Sequence, residues 1–444
     1  MLDKSRAQRI FGLALPIMGG MVSQNILNIV DTAMVSRLEN SDAALAAVGL
    51  ASFAVFMCQS AVLGLATGVQ ASASRRKGEG RLEETALFLN TALLVLIVVA
   101  PLMSLVLVEL APVIFNALID DSQVVELGVP YFEIRLVGIL FVGANFAFRG
   151  YWNAVDMARL YMRTIIIMHI ANIFLNYVFI FGNFGAPPMG VAGAGLASLL
   201  SVILGTCVYV VLGLKHAAPH GFLHRRPHFS EVKTLVKLSL PNSIQQVFFS
   251  AGFLATYWII GQVGTAELAA ANVLLNLTML AILPGLGFGL TSATLVGQAL
   301  GRGDSSDARR WGFDVTKIAA IIMTTICLPM VFIPDRVIDT FYVLDPDTLN
   351  LALWPMRIAG ITIVFDAFGM VLMQSLLGAG DTRRVMMVSI CNQWVLFLPV
   401  AYLIGPVLGY GLVEIWIVQA MYRGFQAFIF SKFWLGDSWS TIRI

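Results

Sequence analysis

Residues Ile10–Val35 read IFGLALPIMGGMVSQNILNIVDTAMV, and this apolar stretch decides how the rest of the chain is interpreted. As an α-helix with a rise of about 1.5 Å per residue, it is long enough to cross a bilayer core of about 30 Å. It does not end in a small-residue cleavage site, so it is predicted to be a retained first span rather than a signal peptide. The segment therefore predicts an integral membrane protein.

The distinctive feature of this span is an acidic residue. Gln24, Asn28 and Asp31 are spaced i, i+4 and i+7, which places them on one face of the helix. An ionisable group inside a membrane is costly, and it usually faces water, pairs with another polar group, or carries protons or ions. Asp31 is the first functional candidate, with Gln24 and Asn28 as supporting polar groups. The alternative is an acid that only fixes helix packing.

The composition extends this prediction to the whole chain. Of its 444 residues, 58% are hydrophobic and 12% are charged, whereas soluble domains carry about 25% charged residues. Further apolar stretches lie at residues 44–72, 86–111, 129–153, 161–182, 189–214, 239–263, 268–298, 315–334, 352–377, 385–405 and 409–433. We predict an all-α polytopic membrane protein with twelve transmembrane helices. The cysteines and histidines lack metal-ligand spacing, so neither a metal site nor a cofactor is expected.

Basic residues predict the orientation, because Lys and Arg accumulate in cytoplasmic loops. They cluster before helix 1 and after the even-numbered helices, and they end the chain with Arg423, Lys432 and Arg443. Both termini are therefore predicted to be cytoplasmic, in a multi-pass protein of the bacterial cytoplasmic (inner) membrane. Because orientation accounts for the basic loops, no nucleic-acid partner is expected.

The chain also repeats itself. A single offset of 225 residues relates the two halves across five helices. The superposed pairs include Pro16 and Pro241, Gly64 and Gly289, Pro130 and Pro355, and Asp156 and Asp381. Each repeat has six helices and begins on the same side, so the repeats are parallel. We predict an N-terminal lobe at 1–214, a cytoplasmic linker loop at 215–237 and a C-terminal lobe at 238–444, around a central cavity.

Two further polar sites lie inside predicted helices. In helix 5, Asn172 and Asn176 are spaced i, i+4, about one turn after His169. Because an amide both donates and accepts, this pair can hold a carboxylate or its bound water, although interhelical hydrogen bonding alone is an equal alternative. His169 is assigned to packing. In helix 10, Asp366 is a second candidate cation site or a structural acid paired with a neighbour.

Glycine and proline residues mark candidate helix bends. Helix 6 opens with Gly190, Gly193 and Gly195, which suit either a bend or close helix packing. Pro16 in helix 1 and Pro241 in helix 7 lack the N–H group that continues a helix, so both are candidate pivots.

Taken together, the motifs resemble the multidrug and toxic compound extrusion (MATE) family, in particular its DinF-like branch. They are Pro16 with the helix 1 sequence VDTAM at 30–34, the loop RRKGEGR at 75–81, its counterpart GQALGRGD at 297–304, and LGAGDTR at 377–383. The resemblance covers essentially the whole chain in order.

The resemblance implies a secondary active antiporter that exports cationic or amphipathic compounds in exchange for protons or sodium ions. It implies that Asp31 is the coupling acid and that Asn172 and Asn176 are its polar partners, although some members of the DinF-like branch carry Asp in place of Asn176. Asp366 matches the helix 10 acid of the sodium-coupled NorM-like branch. That branch also has a Glu in helix 7, where residues 247–251 here read VFFSA, so protons are favoured over sodium.

Three other functions stay open at this point. A sodium-coupled drug antiporter is the nearest alternative. A flippase for lipids or lipid-linked precursors would share the architecture but would need deep cationic residues. A membrane-embedded enzyme is more distant, because no catalytic motif is present. The expected partners are small cationic or amphipathic molecules and the lipid bilayer, and a monomer is expected.

Overall fold

The computed structural model describes residues 3–38, 40–119 and 121–444. Within these ranges the protein is helical and contains no β-strand. The helices are α1 (Lys4–Val35), α2 (Ser41–Gly78), α3 (Leu87–Leu118), α4 (Ser122–Val137), α5 (Ile139–Ala154), α6 (Ala158–Phe181), α7 (Gly190–His216), α8 (Phe229–Val263), α9 (Thr265–Gly301), α10 (Ser305–Phe332), α11 (Pro334–Phe341), α12 (Pro346–Ala379), α13 (Thr382–Ile390), α14 (Leu398–Tyr402) and α15 (Leu412–Leu435). The predicted all-α class is confirmed.

The described helices also account for the predicted spans. Ten helical segments are long and apolar enough to cross a membrane, and α4 with α5 forms an eleventh, bent span. The 24 residues of α15 form a twelfth long helix, and about 20 residues are enough to cross a bilayer core. The twelve-helix membrane fold is therefore confirmed.

Two of the predicted continuous spans are interrupted. The span predicted at 129–153 bends by 51° between α4 and α5, at Gly138. The span predicted at 385–405 contains two π-helical segments, Cys391–Phe397 and Leu403–Val407, on either side of α14. Pro399 and Pro406 lie in this region, and each removes one backbone donor, which explains the irregular winding.

The chain forms two compact units whose divisions fall inside helices. Unit 1 comprises the residues up to Ala14 together with Ile244–Ile444, and unit 2 comprises Leu15–Ser243. One division lies beside Pro16 in α1 and the other beside Pro241 in α8. The lobe boundaries predicted at residues 214 and 238 follow the linker loop instead, and they stay a prediction.

In unit 1, the long helix α12 packs against α9, α10 and α15. The first turns of α1 belong to this unit and are held by Arg6. Its guanidinium donates to Asp307 at 2.6 Å and to Asp314 at 2.7 Å, and it lies 3.6 Å from the ring centre of Trp311. These ion pairs and the cation–π contact attach the beginning of the chain to α10.

In unit 2, α2 packs against α4 and α5, and α6 packs against α7. Small residues permit the close approaches. A Cβ atom on Gly150 would overlap the backbone of Ala66, and one on Gly193 would overlap the backbone of Phe179. Close contact through glycine is the usual way in which membrane helices gain packing energy. This packing brings α6 against α7 and positions the polar residues described next.

Candidate functional site

The candidate site lies within unit 2, where α1, α6 and α7 contribute polar side chains. Asn172 and Asn176 on α6 are buried, as are Ser198 and Ser201 on α7. Asp31 on α1 is partly buried. Because all five belong to helices that are otherwise apolar, they form a polar cluster inside a membrane-spanning unit.

Asp31 and Asn176 form the centre of this cluster. The Asn176 amide donates to Asp31 Oδ1 at 2.6 Å and to Asn172 Oδ1 at 3.0 Å. The i, i+4 spacing predicted that the two asparagines share a face of α6, and the structure brings that face to the acid.

Asn172 connects the acid to α7. Its amide donates to the hydroxyls of Ser198 at 3.3 Å and Ser201 at 3.2 Å. A half-turn of the same amide places its nitrogen 3.1 Å from Asp31 Oδ1, while its oxygen then accepts from Ser201 Oγ and the Ser198 backbone N–H. Both amide orientations are therefore supported by partners. The serines were not predicted, although their i, i+3 spacing on α7 marks one polar face.

A second chain of hydrogen bonds joins α1 and α6 one turn away. His169 Nδ1 lies 2.6 Å from Ser23 Oγ, and His169 Nε2 lies 3.1 Å from Gln24 Oε1. The Gln24 amide in turn donates to Asn28 Oδ1 at 3.2 Å. The polar residues predicted on the Asp31 face of α1 thus bond to one another and to His169.

Arg135 on α4 is a further charge near this site, and its positive charge interacts electrostatically with Asp31. Arg135 was not predicted as a site residue, because a charge near the outer end of a membrane helix costs little and needs no function to explain it. A lone basic residue near a helix end carries no signal that identifies its partner.

Asp366 lies in unit 1 and has a different environment. This residue on α12 is 7% exposed, and its Oδ1 is 3.3 Å from Arg423 Nε on α15. Arg423 was grouped with the basic residues at the end of the chain, but it lies within the last helix, α15, and its side chain is partly buried. The ion pair matches the structural alternative for Asp366, whereas its use as a second cation site stays a prediction.

The candidate bends lie at the start of α7, at close helix contacts and beside the divisions between the compact units. The helix α7 begins at Gly190, whose φ of +54° suits glycine, and Gly193 and Gly195 lie at close helix contacts. Pro16 and Pro241 lie inside continuous helices beside the divisions between the compact units. Bending at these residues stays a prediction.

No group of three or more His, Cys, Asp and Glu side chains suitable for a metal ion occurs in residues 3–38, 40–119 and 121–444. The polar cluster offers carboxylate, amide and hydroxyl groups and contains neither a nucleophile with a base nor a phosphate loop. An acid held by amides within a polytopic, two-repeat helical protein is typical of membrane transporters.

Comparison with known proteins identifies the family. The MatE family model matches twice, at residues 16–178 and 241–403, and the two matched segments begin 225 residues apart. The chain therefore belongs to the MatE family, whose members are transporters rather than enzymes. The paired match also confirms the internal repeat and its offset.

Individual relatives agree with this assignment over nearly the whole chain. The chain is 25% identical over 442 residues to the probable multidrug resistance protein NorM of Thermotoga maritima, covering 97% of this chain and 93% of the relative. It is 26% identical to the NorM protein of a Synechococcus strain, covering 94% and 91%.

Solved structures show the same fold. An outward-facing multidrug resistance MATE family transporter of the MOP superfamily matches with a TM-score of 0.87 and 23% identity, covering 97% of this chain and 95% of that chain. A MOP superfamily transporter from Pyrococcus furiosus matches with a TM-score of 0.85 and 22% identity, with the same coverage.

Proposed function

We propose that the protein is a secondary active multidrug antiporter that exports cationic or amphipathic compounds in exchange for protons. The observation that carries the proposal is the 2.6 Å hydrogen bond from Asn176 to Asp31 within a membrane-spanning unit. The names of the NorM relatives support the substrate class.

In the proposed cycle, Asp31 takes up a proton when the protein faces outward. The neutral acid then has an O–H donor, while each of Asn172 and Asn176 carries both a donor and an acceptor. Half-turns of these amides adapt the cluster to the neutral acid, and Asn176 Oδ1, which has no hydrogen-bond partner, is a suitable acceptor. Loss of the negative charge weakens the binding of a cationic substrate, which leaves.

When the protein faces inward, Asp31 releases its proton to the cytoplasm. The carboxylate again accepts from Asn176, and Gln24 and Asn28 complete the polar face of α1. The restored negative charge attracts the next cation. One proton thus enters the cell for each passage of Asp31 through the cycle.

Asp366 is a weaker candidate for coupling, because Arg423 already provides its counter-charge. This pairing favours protons at Asp31 over sodium ions at Asp366. The pairing also weakens the flippase alternative. A flippase needs basic residues deep in the protein, and the charge of Arg423 is already neutralised by Asp366.

The conformational change is proposed to use the two superposed prolines. Pro16 and Pro241 lie beside the points where α1 and α8 pass from one compact unit to the other. A helix that belongs to two units must bend when the units move, and proline lowers the cost of bending at its own position.

We further propose that the protein resides as a monomer in a bacterial inner membrane, with both termini in the cytoplasm. The clusters of basic residues in alternate loops support this orientation.

The test is dye efflux from proteoliposomes under an imposed pH gradient or an imposed sodium gradient. Wild type is compared with Asp31→Asn and Asp366→Asn, and size-exclusion profiles establish that each variant is folded. We expect efflux to follow the pH gradient and to be lost only in Asp31→Asn. Sodium-driven efflux that requires Asp366 would instead move the coupling site to unit 1, and full activity of Asp31→Asn would refute the proposal.

A further inference from the structure

Unit 1 contains an ion pair with a buried carboxylate that the proposed proton cycle does not use. Asp366 on α12 and Arg423 on α15 are joined through Arg423 Nε at 3.3 Å, and their side chains are 7% and 19% exposed. Asp366 Oδ1 makes no hydrogen bond. The carboxylate is therefore compensated mainly by the positive charge of one arginine.

Arg423 also lines a small cavity of about 40 Å³. This volume is large enough for water, since a buried water needs roughly 10–15 Å³. The polar residues in the cavity wall besides Arg423 are Thr256, Thr278, Gln393, Gln419 and Tyr422. The oxygen Gln419 Oε1 is buried and has no partner. The cavity thus offers uncharged oxygen atoms beside the guanidinium.

Arg423 therefore has two neighbours of interest. It pairs with the Asp366 carboxylate, and it is also one of the residues that line the cavity. If the guanidinium were removed, its volume would add to the cavity, and Asp366 would share the enlarged space with residues that carry uncharged oxygens, among them the unpartnered Gln419 Oε1. A carboxylate with amide, hydroxyl and water oxygens is the ligand set that hard cations prefer.

We propose that Arg423 is a built-in counter-ion that fills a monovalent-cation site of unit 1. The positive charge is always present in unit 1, because the guanidinium belongs to a side chain of α15. Loss of the guanidinium leaves a buried, uncompensated carboxylate, and it opens the site to Na⁺. This inference concerns ion binding alone and does not depend on the transport activity.

The test measures the effect of sodium on the thermal unfolding of the purified full-length protein in detergent. NaCl replaces choline chloride at constant ionic strength for wild type, Arg423→Gln and the double variant Asp366→Asn/Arg423→Gln. We expect a saturable rise of about 2–4 °C in the unfolding temperature of Arg423→Gln, as ligand binding to the folded state produces. The double variant provides the matched control and shows no such rise.

Arg423→Lys is the second control. It retains a positive charge beside Asp366 and is expected to remain as insensitive to sodium as wild type. Sodium dependence of wild type equal to that of Arg423→Gln would overturn the proposal. So would a folded Arg423→Gln without a sodium effect, or an equal effect in the double variant.

Folding of the single variant is itself a readout. If Arg423→Gln is unstable in choline chloride, the proposal requires that purification in NaCl raises the yield of monodisperse protein. The yield of the double variant should be the same in both salts. Equal yields of Arg423→Gln in the two salts, with the protein aggregated in both, would refute the proposed site.

Discussion

Asn176 donates a 2.6 Å hydrogen bond to Asp31 across 145 residues of sequence, which joins α6 to α1 inside unit 2. Because the bond lies within apolar helices, removing one partner would leave the other polar group unpaired at a high free-energy cost. The bond also provides the acid with a partner that can donate or accept.

The direct amide partner of Asp31 is expected to be necessary for coupling. Replacing Asn176 by Leu keeps a similar volume but removes the donor that faces the carboxylate. Hydrogen bonds to charged groups contribute about 1.5–3 kcal/mol, so pH-driven dye efflux should fall by about 10- to 100-fold. Initial efflux rates from proteoliposomes of equal protein content measure this change.

Asn172→Leu is the matched control for that experiment. Asn172 in its present orientation bonds to Ser198 and Ser201, and only a half-turn of its amide brings it to Asp31. A smaller loss than in Asn176→Leu is expected. Equal wild-type rates for both variants would contradict an amide-held coupling acid.

His169 is expected to support the structure rather than to carry protons. Both of its ring nitrogens are bonded to α1, through Ser23 and Gln24. His169→Leu leaves these two groups without their partner and should destabilise the folded protein by about 1–3 kcal/mol. The midpoint of detergent or thermal unfolding measures the loss.

The variant His169→Gln distinguishes the two roles. Glutamine retains a donor and an acceptor but does not titrate, so pH-driven efflux should stay close to the wild-type rate. Loss of efflux in a fully stable His169→Gln protein would place the imidazole on the proton path instead.

Glycines at helix crossings are expected to be sensitive to a single added methyl group. A Cβ atom on Gly378 of α12 would overlap the backbone of Ala293 on α9. Gly378→Ala should therefore cost about 1–3 kcal/mol through overpacking. Unfolding of the purified protein measures the cost.

Gly369 in the same helix offers the control, because the nearest atom to an added Cβ is 3.8 Å away, an ordinary contact. Gly369→Ala should be neutral or more stable by about 0.5–1 kcal/mol, since alanine is the better helix former. Equal losses of stability in the two variants would show that close backbone contact does not determine which glycines of α12 can be replaced by alanine.

The beginning of α12 is expected to depend on pH through its capping residue. The Thr348 side chain and the Thr348 backbone N–H both bond to Asp345, and these bonds lower the pKa of Asp345 below its ordinary value. A lowered pKa contributes stability above the unfolded-state pKa of about 3.9, and this stability is lost as the pH falls through the lower folded-state value. Asp345→Ala should therefore be less stable than wild type near neutral pH.

The difference between wild type and Asp345→Ala should become smaller in strong acid, where the protonated carboxyl retains only a neutral capping oxygen. Asp345→Asn retains a neutral capping oxygen, so its stability should change less with pH in the acid range. The unfolding temperature of the three proteins measured across that range checks both statements. A difference between wild type and Asp345→Ala that stays constant with pH would contradict a contribution of the ionised carboxylate to the cap.

Much of the scaffold was predictable, because the bilayer imposes simple rules on sequence. Apolar stretches of sufficient length predicted the spans, and the repeat of Pro16 at Pro241 predicted the two halves. The bend at Gly138 was not predictable, because a glycine between apolar residues is equally common in straight membrane helices. The π-helical segments likewise depend on how neighbouring helices accept the irregular backbone.

The sequence by itself determined that the protein spans a membrane and that Asp31 lies on a polar face, because burial in lipid makes any charge exceptional. It also determined that Asn172 and Asn176 share a face, since helical spacing is local. Only the tertiary structure decided the partners: Asn176 for Asp31, Arg423 for Asp366, and the serines of α7. Contacts between distant helices depend on packing in three dimensions, which no local pattern of residues encodes.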